Sequence, residues 1–399
     1  MRVISFAKKK FRPGHSYRLA EWNQLPPSDQ EMLSGLYDEE EVYGIFQPLT
    51  SSTHLTKKVA YKEVALLYMH LKETDQLPHY LFLNGGEKLN ETITQLVLDE
   101  ILEIECEGNF ASGTAAIKVI FGETIFDDGL IPDHLSKLSM DAIQYALLIK
   151  NPDLRSLSQQ LYTFNTIPWD AHTKSKFYAA HSIPQFLFPE ESGKLNDLLS
   201  KSWESNNVSE KKYWLSWWKK KRGDPYGIAL NKPTFKLYIS SVIDELPILL
   251  KIAIPILSAS PAFSFKVGGN IEALLRPDKM VVYFENYEEL METALLLKTA
   301  LSGISAHGVP FTAQIDEAGI LSWGVDPAGA DVLSIIESGS WRMKVADQLA
   351  LAILQAKKDG LDFQESIPFI RAKLFSAGIN IADWTAIAFA KIPHHKIIS

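Results

Sequence analysis

The sequence predicts an α+β protein, with a mostly helical first half and a mainly antiparallel sheet with packed helices in the second half. In the first half, apolar residues such as Val64, Leu67 and Leu71 recur at helical spacing. In the second half, segments rich in β-branched and aromatic residues predict five strands, at 235–240, 263–268, 279–284, 308–315 and 320–325. A turn at 316–319 joins the last two segments as a hairpin, which favours antiparallel pairing.

Several residues in the sequence mark where predicted helices begin. Asn286, followed by Glu289, resembles a capping box and predicts a helix that ends at Gly303. A second long helix is expected to begin near Trp341. Between the halves, Ser139 is the expected cap of a helix that runs to Ile149.

The length of 399 residues exceeds that of a single hydrophobic core, so two domains are expected. We predict a helical domain at 1–220 and an α+β domain at 221–399. Near this boundary, residues 213–222 combine aromatic and basic side chains. We interpret this run as a helix that buries Trp214 and Trp218 at an i, i+4 spacing, rather than as a surface for nucleic acid.

Within the first domain, residues 56–115 follow the order of a winged-helix module. A helical pattern that includes Ala60 comes first, a second pattern covers about 89–99, and a hairpin turns at 107–109. Two uses stay open, namely docking of a peptide by strand addition to the wing and a purely structural role. Duplex DNA fits poorly, because the second helix is mainly acidic.

Composition excludes several classes of partner and site. The net charge of −8 and the pI near 5.7 argue against a nucleic-acid-binding protein. A single cysteine, Cys106, excludes an internal disulfide framework and a cysteine-rich metal site. The most apolar stretch, 246–263, is interrupted by Pro247, Lys251 and Pro255, so it predicts a buried helix followed by a loop rather than a membrane span. A cytoplasmic location without a membrane partner is expected.

Four basic residues in the second half predict an anion pocket. Lys236, Lys266, Arg276 and Arg342 lie in or beside the predicted strands and helices, among aromatic and β-branched neighbours. A cation is costly to bury in such surroundings without an anionic partner, and phosphate is the natural ligand. The alternation of a strand also points Lys266 away from the apolar residues on either side of it.

Other interpretations of these residues stay open. Arg276 could pair with Asp278 or Asp326, and Lys236 and Lys279 could be solvated strand residues. We interpret His307 as a turn residue that is hydrogen-bonded to the backbone, and the pair 394–395 as a tail rather than a metal site. The aromatic segment 161–170 is interpreted as packing between helices.

Five short motifs occur in the second half, namely Phe-Lys-Val at 265–267, Arg-Pro-Asp-Lys-Met-Val-Val-Tyr at 276–283, Gly-Val-Pro-Phe-Thr at 308–312, Asp-Pro at 326–327 and Ser-Trp-Arg at 340–342. Together they resemble the Hop-type effector family, whose members include type III effectors of plant pathogens and relatives in the biosynthesis of ribosomal peptide natural products. The wider superfamily includes the phosphothreonine lyases, in which Phe-Lys-Leu-Tyr-Ile-Ser at 235–240 also has a counterpart.

The resemblance implies elimination of phosphate from a phosphoserine or phosphothreonine in a peptide, which yields a dehydroamino acid. Lys266 matches the position of the base, Arg276 and Arg342 match phosphate-binding positions, and Lys236 adds positive charge. Tyr238 stands where phosphothreonine lyases have a histidine acid, and the reference pKa of tyrosine, about 10, makes it a weaker acid. No metal or organic cofactor is implied.

Three functions stay open on these grounds. The first is a lyase that matures a phosphorylated, lanthipeptide-type precursor peptide, with or without a partner kinase. The second is a non-catalytic protein that binds a phosphopeptide or a kinase. The third is a secreted effector that acts on host phosphoproteins, which the expected absence of a Ser-rich export segment disfavours. Tyr283 and His307 are the other candidate acids besides Tyr238.

Overall fold

The computed structural model describes residues 6–36, 41–122, 133–171, 175, 182–189, 193–205, 213–220, 233–326 and 340–387. Packed helices and antiparallel sheets make up these residues, which confirms the α+β class. The described helices are α1 Pro27–Leu36, α2 Lys62–His70, α3 His79–Leu98, α4 Ile117–Phe121, α5 His134–Leu148, α6 Leu154–Tyr162, α7 Ile183–Leu187, α8 Gly193–Ser202, α9 Leu246–Ala259, α10 Ile271–Leu275, α11 Tyr287–Ala300, α12 Trp341–Lys358 and α13 Phe363–Ser376.

The strands form four antiparallel sheets in the described ranges. In space their orders are β5-β1-β6-β7, β2-β3-β4, β15-β16, and a seven-stranded sheet β13-β14-β10-β12-β11-β9-β8. The strands are β1 Lys10–Pro13, β2 Tyr17–Glu21, β3 Val42–Pro48, β4 Lys58–Tyr61, β5 Asp75–Gln76, β6 Leu102–Cys106, β7 Asn109–Ala111, β8 Trp203–Ser205, β9 Trp214–Lys219, β10 Thr234–Ile239, β11 Ser264–Gly268, β12 Met280–Phe284, β13 Ala313–Gln314, β14 Leu321–Asp326, β15 Ile379–Asn380 and β16 Thr385–Ala386.

The seven-stranded sheet confirms four of the five predicted strands, as β10, β11, β12 and β14. The fifth prediction, 308–315, is mostly wrong, because only the two residues of β13 pair there. Gly308 and Phe311 adopt positive φ angles of 84° and 64°. A left-handed backbone does not continue a strand, so the segment enters the sheet only after this turn.

The predicted helix over 213–222 is wrong, and residues 221–222 lie outside the described part. Strand β9 takes its place and pairs with both β11 and β8. Leu215 and Trp217 alternate into the core, where the rings of Trp217 and Phe265 stack with centroids 4.8 Å apart. Aromatic residues suit a pleated, half-buried surface, and pairing on both edges overrides the helical spacing of Trp214 and Trp218.

The two faces of this sheet differ in polarity. One face is apolar and packs with helices α9 and α11 in a common core, to which Phe235, Leu237, Phe265 and Val267 contribute. Because side chains alternate along a strand, the residues between them lie on the other face. Lys266 therefore does point away from its two apolar neighbours, as predicted.

Three of the predicted helices of this half are present. Asn286 caps α11 by accepting a hydrogen bond from the backbone N–H of Glu289 at 2.9 Å, and α12 begins at Trp341. Helix α9 is the buried helix predicted in the apolar stretch. Among the described helices, none combines the length and apolar content that a membrane span requires.

The predicted cap of helix α5 is wrong. The helix already begins at His134, and the cap is Asp133, well before Ser139. Ser139 lies inside the helix instead, where its hydroxyl donates to the carbonyl of Leu135 and accepts from the N–H of Phe311. The hydroxyl thus serves the turn before the sheet rather than a helix end.

Residues 56–115 contain two helices and then a hairpin, in the predicted order, as α2, α3 and β6–β7. The helical pattern included Ala60, and this detail is wrong, because Ala60 lies in β4 and pairs with Gly44. Strand β1 and the short β5 complete the sheet beside the hairpin. The winged-helix assignment and the peptide docking both stay predictions.

Two large hydrophobic cores account for most buried apolar residues of the described chain. One is built from residues before 165 together with helices α12 and α13, Phe311, Ile379 and Trp384, and the other from residues in the range 187–325. Strands β8 and β9 precede residue 220 and pair in the large sheet. Helix α12 returns to the first core, so apolar contacts cross the predicted boundary at residue 220. The division itself stays a prediction.

A buried ionic cluster, here called the Asp99 network, ties the first core to the C-terminal helices. The carboxylate of Asp99 lies 2.9 Å from the ammonium of Lys58 and 3.1 Å from that of Lys373. Gln355 on α12 donates to Glu100 at 2.9 Å. These five side chains are buried, and among them two lysines balance two carboxylates, while the half-exposed Lys358 lies 3.8 Å from Glu100 at the edge of the network.

Candidate functional site

The polar face of the seven-stranded sheet brings predicted site residues together. In the register, Lys266 on β11 lies opposite Val281 on β12, which in turn lies opposite Tyr238 on β10. Two strand spacings therefore separate the backbones of Lys266 and Tyr238, about 10 Å. Lys236 lies opposite Tyr283 in the neighbouring row.

Arg276, Asp278 and Arg342 form an assembly that we call the arginine clamp. Nε and Nη2 of Arg276 each donate to one carboxylate oxygen of Asp278 at 2.8 Å. Nη1 of Arg342 lies 2.8 Å from Oδ2 of Asp278, an ion pair whose angle is not that of a hydrogen bond. The alternative that Arg276 pairs with Asp278 is thus confirmed.

Charge pairing keeps Asp278 ionised in the clamp. Burial alone would raise its pKa, but the charges of Arg342 and Arg276 and the hydrogen bonds from Arg276 lower the pKa well below its ordinary value. The pKa of Arg276 is raised, because the bonds and charge of Asp278 outweigh burial. One negative and two positive charges therefore persist at neutral pH.

Arg342 is held on all sides by protein groups. Its side chain is 1% exposed, its Nε donates to the carbonyl of Pro310 at 3.1 Å, and its Nη2 donates to the carbonyl of Tyr162 at 2.8 Å. Gly324 lets the start of α12 approach the sheet, since a Cβ there would lie 2.6 Å from Cδ1 of Trp341. With so little exposed surface, direct contact between Arg342 and a phosphate stays a prediction.

Tyr162 is a site residue that the sequence did not reveal. Its ring centroid lies 4.7 Å from Cζ of Arg276 and 4.9 Å from Cζ of Arg342. For the segment 161–170, the sequence predicts only packing between helices. Nothing in the local sequence links the end of α6 to arginines far along the chain, so no sequence signal was available.

Lys266 lacks an anionic partner among the residues that the structure describes, and aromatic rings surround it instead. Its Nζ lies 4.3 Å from the ring centroid of Trp214 and 5.8 Å from that of Tyr283. Burial and the charge of Lys236 lower the pKa of Lys266 to about 8, although Asp278 acts in the opposite direction. A larger share of neutral amine is thus present near pH 7 than in an ordinary lysine.

Lys236 and Lys279 are buried, so the interpretation of both as solvated strand residues is wrong. Lys236 is 7% exposed and forms an ion pair with Asp326. Asp326 also accepts a hydrogen bond from the backbone N–H of Trp341 at 2.8 Å. Asp326 thereby joins β14 to α12 on the polar face, and Pro327 of the predicted motif lies outside the described residues.

Tyr238 and Tyr283 are protonated at neutral pH. Burial, followed by the charge of Asp326, raises the pKa of each phenol far above its ordinary value. No hydrogen bond joins the hydroxyl of Tyr238 to another residue in the described ranges. Tyr238 can therefore still donate a proton, but only to a strongly basic atom.

His307 belongs to a buried pair behind the site. Nζ of Lys279 donates to the carbonyl of Ser241 at 3.0 Å and to Nδ1 of His307 at 2.6 Å, and Nε2 of His307 donates to the carbonyl of Asn165 at 2.7 Å. Burial lowers the pKa of Lys279 to about 7 and that of His307 to about 3. The ring is neutral with both nitrogens in use, which agrees with a structural role.

The site carries more positive than negative charge. Its described members are four basic side chains and two carboxylates, Asp278 and Asp326. A phosphate monoester carries a charge of about −1.5 to −2 at pH 7, which is opposite in sign to this surplus. The pair 394–395 lies outside the described residues. Among the described residues, no cluster of His, Cys, Asp or Glu could hold a metal ion.

No protein-family model and no curated protein matches the sequence. Among solved structures, an effector protein from Pseudomonas syringae pv. tomato is similar, with a TM-score of 0.35, 12% identity, and 63% of this chain and 98% of that chain covered. The type III effector and phosphothreonine lyase OspF from Shigella flexneri has a TM-score of 0.27 and 13% identity, with coverage of 38% and 88%.

The phosphothreonine lyase SpvC from Salmonella gives a TM-score of 0.27 and 13% identity, with coverage of 46% and 97%. These proteins are effectors and phosphothreonine lyases, the classes that the sequence motifs resemble. Similarity at this level assigns neither a family nor an activity to the chain.

Proposed function

We propose that the chain is a lyase that eliminates phosphate from phosphoserine or phosphothreonine in a peptide. Lys266 carries this proposal. Its amine is partly buried and has no carboxylate partner in the described ranges. The pKa of this amine is lowered to about 8. Lys266 also lies on the same face of the sheet as the other basic side chains of the site. A base near neutrality beside an anion-binding group is what removal of a Cα proton requires.

The reaction needs no outside reagent. The neutral amine of Lys266 takes the Cα proton, the electron pair forms the Cα=Cβ bond, and the Cβ–O bond breaks to release phosphate. The positive charge of Arg276 and Lys236 stabilises the charge that develops on the departing group. Arg276 has one nitrogen that does not contact Asp278, namely Nη1, which lies 3.4 Å from the hydroxyl oxygen of Tyr213.

Tyr238 is the proposed proton donor to the leaving oxygen. It lies in the same row of the sheet as Lys266, on the other side of Val281. A peptide that crosses Val281 could therefore direct its Cα proton to one residue and its leaving oxygen to the other. A proton from Tyr238 would let the phosphate leave as a dianion rather than as a trianion, and the phenolate then takes back a proton from solvent.

The substrate we propose is a phosphorylated precursor peptide of a ribosomal, lanthipeptide-type natural product, made by a partner kinase in the cytoplasm. The resemblance of the sequence motifs is the only support for this part. The first half of the chain, with its helix-helix-hairpin segment, would then bind the peptide outside the reacting residue.

The test is mass spectrometry of a phosphothreonine peptide incubated with the wild type, with Lys266→Ala and with a matched control, Lys251→Ala, on an exposed position of α9. Loss of phosphoric acid with the wild type and the control, but not with Lys266→Ala, is expected. A thiol that adds to the product identifies the new double bond. Equal elimination by Lys266→Ala would remove Lys266 from the chemistry.

A second candidate function is phosphopeptide or kinase binding without turnover. The observation that favours it is the raised pKa of Tyr238 at the position where lyases have a histidine. In that case the wild type binds the phosphopeptide more tightly than its unphosphorylated form and releases no phosphate, and Arg276→Ala removes the preference.

A further inference from the structure

We propose that Tyr162 is a positioning residue for the arginine clamp, so that helix α6 completes the phosphate-binding site. The inference rests on the proposed function, because it concerns the orientation of the groups that bind phosphate. It adds a residue from the first half of the chain to a site that the sequence places wholly in the second half.

The contacts of Tyr162 join the two guanidiniums. The ring lies within 4.9 Å of Cζ of both Arg276 and Arg342, and both arginines contact the same oxygen of Asp278. The flat guanidinium is well suited to stack on an aromatic face. The backbone carbonyl of Tyr162 also accepts a hydrogen bond from Arg342, so ring and backbone act on the same assembly.

Helix α6 is itself fixed on both sides. One turn before Tyr162, the hydroxyl of Ser158 donates to the buried carboxyl of Asp347 on α12. Just after the helix, the side-chain amide of Asn165 donates to the carbonyls of His307 and Gly308 at 3.1 and 3.2 Å. The last turn of α6, which carries Tyr162, is therefore held by contacts on both sides.

A fixed ring restricts the orientations that Arg276 can adopt. The side chain of Arg276 is 12% exposed, and it is the member of the clamp with a nitrogen that does not contact Asp278. Holding such a long side chain in one geometry before the ligand arrives lowers the entropic cost of binding. Loss of the ring should therefore weaken phosphate binding without removing a direct contact to phosphate.

The experiment compares Tyr162→Leu, Tyr162→Phe and a control, Tyr145→Leu, at a half-exposed tyrosine on α5 whose ring packs on Phe164. Calorimetry of the full chain, with Lys266→Ala present in the reference and in every variant so that the peptide is not consumed, measures the affinity for a phosphothreonine peptide and for its unphosphorylated form. Tyr162→Leu should weaken phosphopeptide binding by about 3- to 30-fold, the range that one or two cation–π contacts supply. Tyr162→Phe and Tyr145→Leu should bind as the wild type does.

A double variant separates positioning from general damage to the fold. In an Arg276→Ala background, Tyr162→Leu should cause no further loss, whereas a fold defect would still weaken binding. If Tyr162→Leu binds the phosphopeptide as the wild type does, or if Tyr162→Phe weakens binding as much as Tyr162→Leu, the role of Tyr162 is wrong but the proposed function is not affected. A wild type that does not distinguish the phosphorylated peptide overturns the proposed function as well.

Discussion

The Asp99 network and the candidate site are both buried ionic clusters, but their charges are arranged differently. In the Asp99 network, Lys58 and Lys373 share the carboxylate of Asp99, and the charges of its members balance. In the site, four basic side chains accompany two carboxylates. Lys266 faces the ring of Trp214 where a structural cluster would place an acid.

The difference shows how a functional cluster can be told from a structural one. A buried charge is costly unless it is paired, so a balanced cluster is complete without a ligand. A surplus of cations is tolerated where an anion from outside completes the set. Perturbed pKa values occur in both clusters, since the pKa of Asp99 is also lowered, so the surplus rather than the shift distinguishes them.

The largest effect is expected from removal of the central carboxylate of either cluster. Asp99→Asn and Asp278→Asn each leave two buried cations without their partner and should lower the free energy of unfolding by about 3–5 kcal/mol. Urea titration at pH 7 measures this. An exposed control on α5, Asp141→Asn, should change it by less than about 0.5 kcal/mol.

The same pair separates stability from binding. At a temperature where both variants are folded, only Asp278→Asn should impair binding of the phosphothreonine peptide, because only Asp278 orients Arg276. If Asp99→Asn weakened phosphopeptide binding as much as Asp278→Asn, the distinction between the two clusters would be wrong.

A smaller contrast is expected between the two types of lysine. Lys373→Met removes one of the two donors of Asp99 and one of the two donors of the carbonyl of Leu98, and it should destabilise the protein by about 1–3 kcal/mol. Lys266→Met removes a cation that has no carboxylate partner in the described chain, so stability should stay within about 1 kcal/mol or increase. Thermal unfolding of the two variants measures these changes in stability. A large loss of stability in Lys266→Met would indicate that Lys266 has a structural role.

The pH dependence of elimination should follow Lys266. Only the neutral amine accepts a proton, and the pKa is lowered to about 8, so kcat/KM should rise as the pH increases through this value and level off above it. A pH–rate profile of the wild type measures this. A rate that falls over the same range would assign the base elsewhere.

The smallest effect is a shift of that profile in Lys236→Met. The charge of Lys236 is one cause of the lowered pKa of Lys266, and its removal also leaves Asp326 without its ion pair. Both changes favour the charged amine, so the midpoint of the profile should move to higher pH. An unchanged midpoint would mean that the two lysines do not interact.

Local sequence patterns predicted much of the second half. The alternation around Lys266, the cap at Asn286 and the start of α12 at Trp341 depend on neighbours a few residues away, and the structure confirms all three. The run at 213–222 is ambiguous, because its aromatic residues fit both a helical and an alternating pattern. Pairing with β11 and β8, which no local window contains, determined the strand.

The sequence by itself determined the fold class, most strands of the large sheet and the set of basic residues on or beside it. The tertiary structure decided which charges pair, which cation stays without a carboxylate, and that Tyr162 contacts the clamp. The physical reason is the range of the interactions. Strand and helix periodicity follows from the geometry of adjacent residues, whereas burial, charge pairing and pKa depend on side chains that only the folded chain brings together.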